Sequence, residues 1–265
     1  MTMSMKTVTP AYPAAPWVGG KRLLAKTIIE RQRTIEHQCY VEPFVGMGGV
    51  FLRRDFSPTC EVINDYDREI ANFFRVLQRH YVPFLDMLRW QLTSRSEFER
   101  LMRVDPTTQT DLERAARFLY LQRTVFGGKA SGNFGVSRTS AARFDLTKLV
   151  PVLEDIYERL NRVIIECLPW QAAMERYDTA GTLFYLDPPY YGTEDYYKAS
   201  FKRDEFVEMG RTLRGLKGKF ILSLNDCPEV REIFDDFNLE AVSVNYSLAK
   251  NGNARGKRGE LIISN

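Results

Sequence analysis

At 265 residues with 44% hydrophobic content, the chain can bury one large core, or one core plus a small inserted lobe. No apolar run approaches the length of a membrane span, and the stretch Met1 to Pro16 lacks the charged and apolar regions of a signal peptide, so a soluble cytoplasmic protein is expected. A net charge of +3 is too mild to argue for nucleic acid by itself, and four scattered cysteines (Cys39, Cys60, Cys167, Cys227), with only His37 and His80 to join them, indicate neither a zinc site nor a disulfide framework; no metal is expected.

Pro16-Trp17-Val18-Gly19-Gly20-Lys21 precedes the amphipathic segment Leu23 to Ile35, which reads as a helix. Taken alone, Trp17 is an ordinary packing anchor and Lys21 a solvated helix-start residue. Val41 to Phe51 reads as a short strand, a glycine-rich turn and then a helix, with Gly46, Gly48 and Gly49 letting backbone amides approach a ligand. Glu61 to Asp65 is a second short strand ending in a carboxylate, a position from which a ribose is commonly held; capping of the next helix is the alternative role for Asp65. From Asp67 to Leu121 the spacing turns helical, which suggests an insertion. Arg123 to Arg138 reads as a hairpin or ordered loop, and Lys129, Arg138 and Arg143 give it a positive face. Leu146 to Leu160 is a further helix, Val163 to Leu168 a strand and Trp170 to Tyr177 a short helix. Strands follow at Phe220 to Leu224, Ala241 to Leu248 and Leu261 to Ser264, the last two flanking Lys250 to Gly259, a connector with four cations and no acid.

The most informative feature is Asp187-Pro188-Pro189-Tyr190, which follows the apolar run Leu183-Phe184-Tyr185-Leu186, itself read as a buried strand. Ligands collect at the C-terminal ends of strands in open α/β sheets. Asp187 can accept one N–H of an exocyclic amine and a proline carbonyl the other, while the fixed φ of the prolines holds the turn compact. Tyr190 offers a face on which a base can stack. By itself, such a strand end is more often only a loop.

Taken in order, Trp17 to Lys21, the Phe44 to Gly49 turn, Asp65, the helical and basic insertion and Asp187 to Tyr190 closely resemble the Dam-type, D12-class DNA adenine-N6 methyltransferases. The tail from Ser247-Leu248-Ala249-Lys250-Asn251-Gly252 through Gly259-Glu260-Leu261 extends the resemblance over nearly the whole chain. The resemblance implies an α/β fold: a seven-stranded Rossmann-like S-adenosylmethionine-dependent methyltransferase sheet with an inserted helical and hairpin target-recognition domain. The catalytic domain would be discontinuous, 1–66 and 145–265, and the recognition domain 67–144. Trp17 and Lys21 would help bind S-adenosylmethionine, Phe44, Gly46 and Gly48 would line it, Asp65 would hold its ribose hydroxyls, and Asp187 would lie between cofactor and target amine. Asp187, Pro188, Pro189 and Tyr190 are thus the catalytic candidates. Bonds from the N6 hydrogens to Asp187 and the Pro188 carbonyl would favour a more pyramidal, nucleophilic nitrogen. The target adenine would flip out and stack on Tyr190, with Tyr191, Tyr196 and Tyr197 nearby. Double-stranded DNA is the implied partner, contacted by Arg123, Phe126, Lys129, Arg138, Asn251, Arg255 and Lys257. No membrane and no obligate protein partner is expected, and the implied setting is a bacterial cytoplasm, or that of the host if the chain is phage-encoded.

One stretch departs from the family pattern. Family members usually carry asparagine after the hairpin aromatic, where this chain has Phe126-Gly127, and Lys129-Ala130-Ser131 is smaller and less basic than usual. A GATC-like site and a shorter or relaxed target therefore both stay open. Two rival readings are a cytosine-N4 methyltransferase, since the same acceptors hold either amine, and a DNA-binding protein without turnover. Asp187 and the tail favour adenine, and pure binding requires none of Lys21, Asp65 and Asp187.

Overall fold

The structure, a computed structural model, describes residues 5–17, 19–125, 132–135, 139, 141–192, 201–245 and 257–265. In chain order the elements are β1 (Lys6–Thr7), α1 (Ala25–Thr34), β2 (Cys39–Glu42), β3 (Phe56–Ser57), β4 (Cys60–Asn64), α2 (Arg68–Arg79), α3 (Tyr81–Leu88), α4 (Arg95–Arg103), α5 (Asp111–Thr124), α6 (Leu146–Arg159), β5 (Ile164–Glu166), α7 (Trp170–Tyr177), β6 (Thr182–Leu186), α8 (Arg203–Arg214), β7 (Lys219–Asn225), α9 (Pro228–Ile233), β8 (Asn238–Asn245) and β9 (Lys257–Ser264). Seven strands form one sheet in the order β5-β4-β2-β6-β7-β9-β8. The first five are parallel, and β9 runs antiparallel to both of its neighbours. β1 and β3 make a separate antiparallel pair.

Side chains alternate across a pleated strand, and here both faces are apolar because helices cover both. Tyr40, Ile63, Leu183, Tyr185, Ile221 and Ile262 join a cluster completed by α1 to α6. Val41, Val62, Phe184, Leu186, Leu222 and Ile263 join a second cluster with α7, α8 and α9. Phe73, Phe84 and Leu119 of the helical insertion belong to the first cluster, so the insertion shares its core with the sheet.

Three differences from the sequence expectation have local causes. After the glycine turn the chain forms only a 3-10 turn, Phe51–Arg53, because it must swing out to lay β3 against β1. β8 starts at Asn238 rather than Ala241, and β9 starts at Lys257 rather than Leu261. Their antiparallel ladder pairs Asn238 with Ser264 and Asn245 with Lys257, so backbone bonding carries polar residues into strands that hydrophobic patterning does not mark.

At the N-terminal end of β4, Glu61 accepts hydrogen bonds from two buried arginines, Arg54 at 2.7 Å and Arg159 at 2.7 and 2.8 Å. Arg54 lies 3.7 Å from the Tyr40 ring centre and Arg159 lies 4.1 Å from that of Phe51. Burial, with the Arg54 charge adding to it, pushes the neighbouring His37 imidazole down to about 4. Removing the shared carboxylate leaves two guanidinium charges buried together. Glu61→Ala is expected to lower unfolding stability by about 3–5 kcal/mol. A denaturant titration checks this, and a loss below about 1 kcal/mol would contradict the account.

Candidate active site

Chain connections diverge between β2 and β6: β2 leads on to β4 on one side, and β7 lies on the other side of β6. Such a reversal opens a crevice beyond the C-terminal strand ends. Three loops meet there. Asn64, the buried last residue of β4, ties them together: its amide nitrogen donates to the Pro43 carbonyl (2.9 Å) and the Leu168 carbonyl (3.1 Å), and its oxygen accepts from the Leu168 N–H (2.8 Å).

The turn after β2 is shaped by Gly46, whose φ of +50° disfavours any side chain, and whose missing Cβ would lie 2.9 Å from Nε1 of Trp17. The Gly46 N–H donates to Oδ2 of Asp65 (2.9 Å), and the Asp67 N–H donates to Oδ1 (2.9 Å). Burial pushes the Asp65 carboxyl up to about 7 against those two bonds. Gly48, at φ +75°, faces Leu52 across a gap that a Cβ would close to 2.8 Å. Trp17 is held by α5: its ring lies 6.4 Å from that of Phe118, Gln122 donates to the Pro16 carbonyl (2.7 Å) and Arg123 to the Ala14 carbonyl (2.5 Å). Phe44 stands edge-on to Phe201 at 5.9 Å, with Trp170 6.5 Å away.

Asp187 and Tyr190 sit just beyond β6 and meet Lys21, which is buried although it is a lysine. Lys21 Nζ lies 2.6 Å from Oδ1 of Asp187 and donates to the Tyr190 hydroxyl at 2.7 Å. Ser223 of β7 also donates to Asp187 Oδ1, at 3.3 Å. Burial raises the Asp187 carboxyl to about 6, with Lys21 opposing the shift and Glu260 adding to it. Glu42, at the end of β2, is pushed up to about 8, chiefly by burial and in part by the nearby Asp187 charge, while Tyr40 donates to it at 2.8 Å. The Tyr190 hydroxyl donates to Oε2 of Glu260 at 2.5 Å. Asn225 brackets the Tyr191 backbone, accepting from its N–H (2.9 Å) and donating to its carbonyl (3.2 Å). Pro188 is buried and Pro189 half-buried between these anchored residues.

The structure therefore brings together Trp17, Lys21, Phe44, Gly46, Gly48, Asp65, Asp187, Pro188, Pro189 and Tyr190 around one end of the sheet. Lys21, expected beside the cofactor, is seated on Asp187 and Tyr190. Among the residues expected to contact DNA, Arg123 directs its guanidinium to the carbonyls of Ala14 and Arg143. Among the described residues there, Val125 and Phe134 form an isolated antiparallel bridge. Phe126, Lys129, Arg138, Asn251 and Arg255 lie outside the described residues, as do Tyr196, Tyr197 and the side chain of Lys257. Sequence reasoning did not single out Asn64, Ser223, Asn225 or Glu42, and it named Glu260 without a role at the site. Glu42 carried a signal, an acid closing an apolar strand; Ser223 carried none. Among the described residues, no group of three or more His, Cys, Asp or Glu could hold a metal ion, and no helix is long and apolar enough to cross a membrane.

A mostly parallel seven-stranded sheet with a glycine turn and an acid-proline motif at its switch point defines a Rossmann-like methyltransferase. The model of the D12 class N6 adenine-specific DNA methyltransferases matches residues 17–248, and the chain belongs to that family. It is 27% identical to the type II methyltransferase M1.LlaDCHI of Lactococcus lactis subsp. cremoris, covering 100% of this chain and 99% of that protein. It is 26% identical to the DNA adenine methylase of Escherichia coli strain K12, covering 93% and 92%, and 25% identical to that of Vibrio cholerae O395, covering 93% of each.

Because Lys21 holds the Asp187 carboxylate, Lys21→Met is expected to move the Asp187 titration upward from about 6. Carboxyl carbon NMR on labelled aspartate reads this shift, and an unmoved or lowered midpoint would contradict the pairing.

Proposed function

We propose that the chain transfers the methyl group of S-adenosylmethionine to the N6 amine of an adenine flipped out of double-stranded DNA, with Asp187 holding that amine. The observation that carries the reading is the half-buried Asp187 carboxylate at the switch point, fixed by Lys21 at 2.6 Å beside the glycine turn. The residues present fit the cofactor. The Trp17 indole packs directly on Gly46, where any Cβ would clash, Phe44 and Asp65 flank the same turn, and Asp187 on Lys21 and Glu260 on the Tyr190 hydroxyl supply nearby carboxyls suited to a cation. When bound, S-adenosylmethionine supplies a methyl group made electrophilic by its sulfonium sulfur.

The chain's own residues do the rest. Lys21 and Ser223 both bond Oδ1 of Asp187, which leaves Oδ2 for one N6 hydrogen, with the Pro188 carbonyl taking the other. Those bonds draw the nitrogen lone pair out of conjugation with the ring and aim it, a positioning effect. Once the new N–C bond forms, N6 carries a surplus proton, and a carboxyl whose value is raised to about 6 can take it near neutral pH and release it to water. Tyr190 supplies the stacking face for the extruded base. Residues 67–144 form the target-recognition unit on a catalytic unit of 1–66 and 145–265, and the basic hairpin and tail contact the duplex. The reaction takes place where that DNA is, in a bacterial cytoplasm or that of a phage host.

Incubation with tritiated S-adenosylmethionine and unmodified genomic DNA, followed by digestion to nucleosides, is expected to place the label in N6-methyladenine; label in N4-methylcytosine or none would overturn the proposal. Asp187→Ala is expected to lower kcat by about 10²- to 10⁴-fold while keeping much of the DNA affinity. The wild-type rate is expected to fall below pH about 6 as Asp187 protonates, and a rate flat down to pH ~4, the range of an ordinary carboxyl, would argue against its role.

A further inference from the structure

Two neighbouring positions on the sheet grip two consecutive residues of the acid-proline loop. Asn225 of β7 and Glu260 of β9 face each other in the antiparallel ladder. Asn225 holds the backbone of Tyr191, and Glu260 accepts the hydroxyl hydrogen of Tyr190 at 2.5 Å. Because β9 runs against the parallel strands, its early residues lie at the ligand end of the sheet, which is why a residue near the chain terminus reaches this site. Glu260 is only 1% exposed, an uncommon state for a glutamate away from a task or a partner.

We propose that Glu260 is a positioning residue for methyl transfer: it fixes the Tyr190 ring through its hydroxyl, so that the stacking face for the target base is set before DNA arrives. This role rests on the adenine-N6 reading of the site. The Tyr190 hydroxyl is the middle of a chain, accepting from Lys21 Nζ at 2.7 Å while donating to Glu260, and Lys21 in turn lies on Asp187. Each bond in such a series strengthens the next. Removing Glu260 takes away the bond that the hydroxyl donates, loosening the ring while its bond from Lys21 stays, and weakens the hold of Tyr190 on Lys21. Removing only its charge leaves an acceptor in place and takes away a negative neighbour that raises the Asp187 carboxyl.

The test is a double-mutant cycle on methyl transfer, with the wild type alongside and thermal melts to confirm folding. Glu260→Ala is expected to lower kcat about tenfold or more in the wild-type background, and to have little further effect in a Tyr190→Phe background, where the hydroxyl is already gone. Glu260→Gln is expected to restore most of the rate and to shift the acid limb of the pH profile downward, an effect that packing alone would not produce. Additive losses in the cycle, or a Glu260→Gln chain as slow as Glu260→Ala with an unmoved pH limb, would overturn the role while wild-type activity keeps the adenine reading intact. A wild-type chain that leaves adenine unmethylated would overturn both.

Discussion

The site depends on one buried ion pair, Lys21 with Asp187. Taking an ammonium and a carboxylate out of water costs several kcal/mol each, and their attraction offsets this only where the remaining hydrogen-bonding capacity is also met. Here it is met from distant parts of the chain. Lys21 donates to Tyr190, with the Gly19 carbonyl 3.4 Å away, and Ser223 reaches the Asp187 oxygen. The start of α1, the end of β6, the end of β7 and the start of β9 must therefore converge, and a sheet with this strand order brings them there. The residual desolvation keeps the Asp187 carboxyl raised to about 6, above the ordinary carboxylate range.

A second ionic cluster sits near the opposite ends of the strands, and the contrast shows what makes one a site and the other a rivet. Glu61 is saturated by Arg54 and Arg159, and the rings of Tyr40, Phe51 and Phe56 lie against the guanidinium planes. Its members come from elements already packed together, and the Glu61 side chain is 6% exposed. Asp187 keeps 19% of its side chain open and has a second oxygen to offer. One arrangement holds β4 to α6; the other holds a loop in readiness.

The parts of this molecule written in local pattern were legible. β6 is buried at every position, as its unbroken apolar run requires, and α7 spans Trp170–Tyr177 as its spacing indicates. Asp65 and Asp187 could be placed because each directly follows such a strand. What could not be read is what tertiary structure supplies. Glu260 looks like one acid after a basic run, and only the reversed direction of β9 puts it against Tyr190. Asn64 is an unremarkable strand-ending polar residue until the loops at 43 and 168 close on it. The β1 to β3 pair has just two residues a side, too short for any period to show. Lys21 could be grouped with Asp187 only through the resemblance, and nothing in its neighbours along the chain says that its ammonium faces Asp187.

The helix α5 ties the segment that follows it to the Trp17 side of the crevice. At its C-terminal end, successive residues face opposite ways: Gln122 and Arg123 hold the Pro16 and Ala14 carbonyls and so seat Trp17, while the Thr124 carbonyl accepts the Gly135 N–H (2.7 Å) and Val125 bridges to Phe134. A capping box at Thr110 and Glu113 fixes the other end, and the buried face of α5 packs in the core shared with the sheet. The Val125–Phe134 bridge and the contacts that seat Trp17 over Gly46 are thus carried by one helix within a few residues of each other. On the proposed reading, in which residues 67–144 recognise the target, the departures from the family pattern at 126–131 bear on which sequence is read, while α5 holds the Pro16 and Ala14 carbonyls beside Trp17.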